Sequence, residues 1–295
     1  LLAPLSMVAQ WWSDRRYGRK RHRQAMKEYR QRRAEFVERL EQLRQADQAE
    51  RRAEFPDPAE VLLTATGPRR RLWERRIHDA DTLHLRLGLA DLPSRIEFTA
   101  ERAYGTDPQD MPPPPISHAV PVTVALPKAG VMGITGLRQV SRALGRWLVA
   151  QAAALHSPRD LAIVVLSADK EAAQSWNWVR WLPHCAPHDG EDCVALVGAD
   201  PDSTARRIAE LLGKINERRA AQSQNLSFGA ENKGINPFAQ GYATQRPYNV
   251  LVVLDGARAL RGMPGMPQVL QLGPTVGVYA ICIDDDQRLL PEECT

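Results

Sequence analysis

From residue 120 to the C-terminus, short and almost wholly apolar runs alternate with stretches of helical composition. No other feature restricts the fold of this chain as much. The runs fall at residues 120–126, 131–134, 161–166, 194–197, 249–254 and 276–283. A strand that is apolar on both faces must be covered on both. Helical crossovers between parallel strands achieve this, whereas a hairpin sheet leaves one face in water. Helices are predicted over residues 137–155 and 202–222. Residues 116–295 therefore read as a layered α/β domain with a mostly parallel sheet. The stretch 223–247, rich in Asn, Gln, Gly and Ser without periodicity, reads as a surface loop.

The N-terminal arm follows a different rule. Residues 13–55 hold no proline and a single glycine, Gly18, and consist largely of good helix formers. Met26, Tyr29, Phe36, Leu40 and Leu43, with Arg33 in the gap, recur at alternating spacings of three and four. That spacing draws a narrow apolar seam along a helix of about 60 Å. A lone helix cannot bury such a seam, so these five residues are expected to pack on another helix or subunit. Pro56 and Pro58 end the segment. It is predicted to be a stalk.

Before it, LLAPLSMVAQWW is mostly apolar and ends in two tryptophans, and a basic cluster follows directly. Indole rings favour the lipid headgroup region, and Lys and Arg stay on the cytosolic side. Residues 1–12 thus read as the end of a transmembrane helix, with Trp11, Trp12, Arg15, Arg16, Arg19 and Lys20 at the interface. Twelve residues cannot span a bilayer, which needs about 20. The net charge of +4 comes from this arm, since residues 13–52 carry fourteen Arg/Lys against seven Asp/Glu. A nucleic-acid role would rest on the arm alone. Between arm and α/β domain, residues 56–115 read as a small α+β subdomain. It has a helix at 59–66, strand-like alternation at 82–98 and a linker ending in four prolines. The four cysteines include no C-x-x-C pair, so a disulfide scaffold is not expected and a reducing compartment fits.

Within the α/β region two segments have the order of a nucleotide-binding ATPase. GVMGITGLRQVSRAL (130–144) reads as strand, glycine turn and helix, and NVLVVLD (249–255) as an apolar strand ending in Asp255. A working phosphate loop adds a lysine for the phosphates and a Ser or Thr for magnesium. Here no lysine occurs between Lys128 and Lys170, and Asp255 is followed by Gly256 instead of an acidic residue that would activate water. Gly133, Gly136, Gln139 and Asp255 are what remains of the pocket, with Arg138 or Arg142 the only stand-ins for the lysine charge. No catalytic residue and no cofactor are assigned to this segment. His184, Cys185, His188 and Cys193 have the ligand types for zinc, but their spacing matches no common zinc motif. No metal is assigned. Trp176, Trp178 and Trp181 are read as a packing surface.

The tryptophan pair, the charged stalk, RLWERR (71–76), HSPRDLAIVV (156–165), WNWVRWLPH (176–184) and VLVVLD (250–255) together resemble EccC. EccC is the membrane-anchored FtsK/SpoIIIE-type ATPase of type VII (ESX) secretion. The resemblance implies a RecA/FtsK-like fold for residues 116–295 and a degenerate ATPase-like domain behind the stalk, with ATP and magnesium used by other domains. It implies the cytosolic side of the inner membrane, association with the EccB, EccD and EccE components, a hexamer, and export of helical substrate pairs. Two other readings stay open: a domain that binds or hydrolyses nucleotide itself, and a DNA-translocase module of FtsK type.

Overall fold

The computed structural model describes residues 3–67, 71–98, 113–231 and 248–295, with the backbone alone for 3–16, 18, 19 and 224–231. Contacts divide the chain into two units, Leu1–Glu54 with Leu89–Pro121, and Phe55–Gly88 with Val122–Thr295.

In the first unit one helix, α1 (Ala3–Glu54), runs unbroken for 52 residues. The apolar start and the charged stalk are thus a single element. No helix among the described residues is long and apolar enough to cross a membrane. The side chains of Trp11, Trp12, Arg15, Arg16 and Arg19 lie outside the described residues, and that of Lys20 is exposed. Of the seam, Leu40 is partly covered, while Met26, Tyr29, Phe36 and Leu43 are exposed, Tyr29 to 60%. Among the described residues, Phe36 of α1 lies beside Phe98, with ring centroids 6.4 Å apart. Towards its C-terminus α1 is covered by the distal ends of β1 (His84–Pro93) and β2 (Ile116–Ala125). Asp47 and Arg51 form a buried pair at 3.0 Å. The Ser117 hydroxyl donates to Asp47 at 2.8 Å, and Arg51 donates to the Pro93 carbonyl at 2.8 Å.

β1 and β2 form a separate two-stranded sheet. Leu83 lies opposite Leu126 and Ser94 opposite Pro115, so the strands run antiparallel. This corrects one expectation. The run at 120–126 does not enter the parallel sheet, because it continues straight from the connection to β1. The alternation at 82–98, which predicts strand, forms the one strand β1 and ends at Pro93. Helix α2 (Pro58–Thr66) is capped by Asp57, which accepts from the Glu60 N–H.

The second unit is built on five parallel strands in the order β3-β7-β6-β4-β5. They are β3 (Val131–Thr135), β4 (Leu161–Ser167), β5 (Val197–Gly198), β6 (Asn249–Asp255) and β7 (Val278–Asp284). All seven residues of β4 and of β6 are buried, as their apolar sequences demand. Their side chains alternate between two cores. Ile163, Val165, Leu251 and Val253 face α4 (Arg138–Leu155), beside Leu148, Ala152 and Trp176. Val164, Leu166, Val252 and Leu254 face α6 (Pro201–Glu231), α7 (Ala257–Arg261) and α8 (Met266–Leu272). The short helices α3 (Leu126–Ala129) and α5 (Lys170–Ser175) lead into β3 and out of β4.

The predicted mostly parallel α/β sheet is therefore present, with local differences. Of the run at 194–197 only Val197 belongs to a strand, the two-residue β5, and Val194 is 93% exposed. Residues 223–231, expected in a loop, continue α6, while 232–247 lie outside the described residues. WNWVRWLPH forms two 3-10 turns, Asn177–Trp181 and Pro183–Cys185, in place of a helical stripe.

Candidate functional site: an occupied nucleotide-type pocket

In open parallel sheets ligands bind outside the carboxyl ends of the strands, where successive connections leave on opposite faces. Here α4 and α5 leave β3 and β4 on one face, whereas α7 leaves the intervening β6 on the other. The crevice this creates is filled by the protein's own charges. Asp255, the last residue of β6, is buried. The Arg142 Nε donates to its two carboxylate oxygens at 3.1 and 2.8 Å, and the Trp176 indole N–H donates to Oδ2 at 2.8 Å. The same guanidinium donates to Glu171 at 2.8 Å and lies 3.9 Å from Asp169. One turn earlier on α4, Arg138 pairs with Asp285 at 2.9 Å and lies 3.9 and 3.7 Å from Asp169 and Glu171.

The electrostatics follow from the helix. The N-terminus of α4 carries a partial positive charge and no acidic residue in its first turn, and it bears two arginines besides. That cluster calls for anions. In a phosphate-binding protein the nucleotide supplies them. Here Asp169, Glu171, Asp255 and Asp285 do. The Arg138 guanidinium holds the Asp285 carboxyl below the usual carboxylate range. Asp285 in turn pushes the Arg138 guanidinium further up. Two guanidinium groups against four carboxylates leave this set of paired groups at −2.

The glycine turn that precedes α4 is short. Gly133 lies within β3, and a Cβ there would meet Leu290 Cδ1 at 2.4 Å, so this glycine serves the packing of the C-terminal segment. Only Gly136 and Leu137 connect β3 to α4. Gly136 is needed for its φ of +136°, yet two residues are too few to wrap a phosphate with N–H groups. Gln139 is exposed on the first turn of α4. Of the four residues predicted to line the pocket, only Asp255 sits in the charge network. Arg138 and Arg142, the suggested lysine substitutes, are both engaged by carboxylates.

Trp176, Asp169, Glu171 and Asp285 were not among the residues predicted for this pocket. The signal was available: Asp169 and Asp285 each follow closely on an apolar strand run, at the carboxyl edge of the sheet. Trp176 gave no such signal, because its role depends on the 3-10 chain path that brings its indole over β6.

The remaining motif residues are structural. The Arg75 side chain is buried and paired with Asp81 at 2.9 Å, and it donates to the His84 carbonyl at 2.7 Å. His184 bonds the His156 carbonyl at 2.8 Å, and burial pushes its pKa down. Burial pushes the Cys185 thiol up to about 12. His188 contacts the carbonyls of Ala186 and Pro158. No group of three or more His, Cys, Asp or Glu among the described residues is arranged to hold a metal ion.

The chain is 32% identical over 213 residues to the ESX-3 secretion system protein EccC3 of Mycobacterium tuberculosis, an alignment covering 64% of this chain. It is 27% identical over 244 residues to the ESX secretion system protein EccC of Thermomonospora curvata, covering 77% of this chain. The chain is a homologue of the EccC proteins of ESX secretion systems. It spans only 15% and 17% of the length of these two EccC relatives. No protein-family model matches it. Among solved structures, the cytoplasmic domain of the Thermomonospora curvata type VII secretion ATPase EccC superimposes with a TM-score of 0.48 at 18% identity. That match covers 75% of this chain and 22% of that one. Arg75 of RLWERR and Trp176 and His184 of WNWVRWLPH are buried in the second unit.

Proposed function

We propose that this chain is the membrane-proximal part of an ESX secretion ATPase and that its α/β domain transmits force without hydrolysing ATP. The observation that carries this reading is Arg142 on Asp255. The acid at the end of the β6 strand, where a metal-assisting carboxylate belongs, is buried under an arginine from the helix that follows the glycine turn. Homology to EccC supports the secretion setting. In this reading α1 holds the motor at the cytosolic side of the inner membrane, with residues 1–12 leaving the bilayer. EccB, EccD and EccE are the surrounding membrane components, further EccC copies complete a hexamer, and domains outside this chain use ATP and magnesium. A rigid domain locked by internal ion pairs suits transmission, because it cannot switch with nucleotide state.

The test is isothermal titration of the whole chain with ATP and Mg²⁺, beside a phosphate-release assay. A flat titration and no turnover are expected. Micromolar binding that disappears in Asp255→Ala would overturn the reading and make the domain a nucleotide sensor. Turnover abolished by the same change would make it an enzyme.

A further inference from the structure

The charged faces of α1 specify what its exposed seam binds. With Met26, Tyr29, Arg33, Phe36, Leu40 and Leu43 as the a and d positions, the flanking e positions are Arg30, Val37 and Arg44. The g positions are Ala25, Arg32 and Arg39. Every charged flanking residue is an arginine. The acids of this stretch, Glu28, Glu35, Glu38 and Glu41, all fall on the outer faces. An ordinary solvated helix would mix both signs around its circumference. Here positive charge borders the apolar seam and enters it at Arg33. Of the flanking arginines, Arg44 is paired with Glu41 at 2.7 Å, whereas Arg30, Arg32 and Arg33 bond no carboxylate among the described residues. Phe36 lies beside Phe98, with ring centroids 6.4 Å apart, yet Phe36 and Val37 remain exposed to 52% and 57%. The seam also continues a face already in use: at its next a position, Asp47 is buried with Ser117 and Arg51.

We propose that residues 26–43 of α1 dock an amphipathic helix of a different chain, apolar along its seam and acidic along both flanks. A second copy does not fit. In parallel pairing Arg33 would face Arg33 and Arg39 would face Arg44. In antiparallel pairing each arginine flank would face itself. Like charges at such positions destabilise a coiled coil and opposite charges set the choice of partner. An acidic partner neutralises both flanks, and a carboxylate opposite Arg33 fixes the register. The contact extends about 27 Å at 1.5 Å per residue. The argument for this surface uses no residue of the Asp255 pocket and does not depend on what that pocket does.

The probe is a synthetic helical peptide of three heptads with Leu at a and d and Glu at e and g. Its control carries Lys at e and g. Binding to the whole chain is read by fluorescence anisotropy in dilute and in moderate salt. The Glu peptide should bind and weaken with salt, and the Lys peptide should bind at least roughly tenfold more weakly. Phe36→Asp should abolish Glu-peptide binding, and the triple change Arg30→Glu, Arg32→Glu, Arg39→Glu should reverse the preference. These residues are exposed, and circular dichroism checks that α1 remains helical. Three outcomes would overturn the proposal: no binding of the Glu peptide, binding indifferent to Phe36→Asp, or a dimer of the chain itself that Phe36→Asp dissolves. Binding to phosphatidylglycerol vesicles that outcompetes the peptide and needs the same seam would reassign the surface to lipid.

Discussion

Asp255 and Arg142 show how one buried pair decides what a fold can still do. Both side chains are more than nine-tenths buried, so removing either leaves an uncompensated charge in a poorly solvated place. Arg142→Met and Asp255→Leu, each alone, should cost about 3–5 kcal/mol, whereas the two changes together should cost far less than the sum of the single losses. Urea unfolding of the four proteins in a double-mutant cycle measures this, and additive losses would mean the pair is uncoupled. Gly256 blocks the obvious repair of the site. It has φ +89°, and a Cβ would lie 2.4 Å from Ala168 Cβ. Gly256→Glu, which restores the missing acid, should lower stability by about 2–3 kcal/mol and yield no ATP turnover. Turnover by that variant would show that the acid was the only missing part.

His156 gives the second unit a pH dependence of definite sign. Its Nε2 accepts from the Leu83 N–H at 3.0 Å and its Nδ1 contacts the Ala152 carbonyl at 2.9 Å. A second ring proton would face another N–H. Burial therefore lowers its pKa from 6.5 to about 4. The native state takes up that proton less readily than the unfolded chain, so the stabilisation is complete above pH 6.5 and is lost as pH falls towards 4. The loss amounts to about 3 kcal/mol. The urea midpoint should drop through this window, and His156→Gln should flatten the drop even if it lowers the whole curve. An equally steep fall in the variant would put the titration elsewhere.

At the level of elements, the short β5 depends on one close approach. A Cβ on Gly198 would lie 2.8 Å from the Thr204 Cα in α6, a backbone atom that cannot step aside. Gly198→Val should separate β5 from the start of α6 and cost about 2–3 kcal/mol in urea unfolding. A neutral result would mean that α6 shifts freely at that point. The element boundaries also show where sequence reasoning failed. The Asn, Gln, Gly and Ser content of 223–231 predicts a loop, yet the stretch extends α6, because an established helix propagates through residues of middling propensity more easily than it restarts. The 194–197 run looked like a strand, but only its last residue reaches β4 in pairing register.

For the whole molecule, the two units differ in how much of each is interior. β4 and β6 are fully buried, while residues 26–43 of α1 present one side chain after another to water. Amide hydrogen exchange should therefore be slowest in β4 and β6 and fast along 26–43. Strong protection of 26–43 in the isolated chain would mean that the seam is already covered. The fold of the second unit was legible because its information is local and periodic: apolar runs of strand length separated by helix-length segments leave few arrangements besides a parallel sheet. The missing lysine was legible for the same reason, since an absence from the relevant stretch needs no coordinates to detect.

The layered α/β class, the long helix ended by Pro56 and Pro58, the basic arm, and a strand–glycine–helix segment without a lysine are therefore all readable from the sequence alone. Which groups meet at the carboxyl ends of these strands depends on the tertiary structure. Arg142 and Asp255 are 113 residues apart, Trp176 reaches Asp255 across 79, and Arg138 meets Asp285 across 147. Pairing at such separations is set by strand order and crossover handedness, which no local pattern encodes. The same distinction separates Gly133 from Gly136. Both stand in the glycine-rich segment, but strand packing against Leu290 claims the first and leaves the second as the turn.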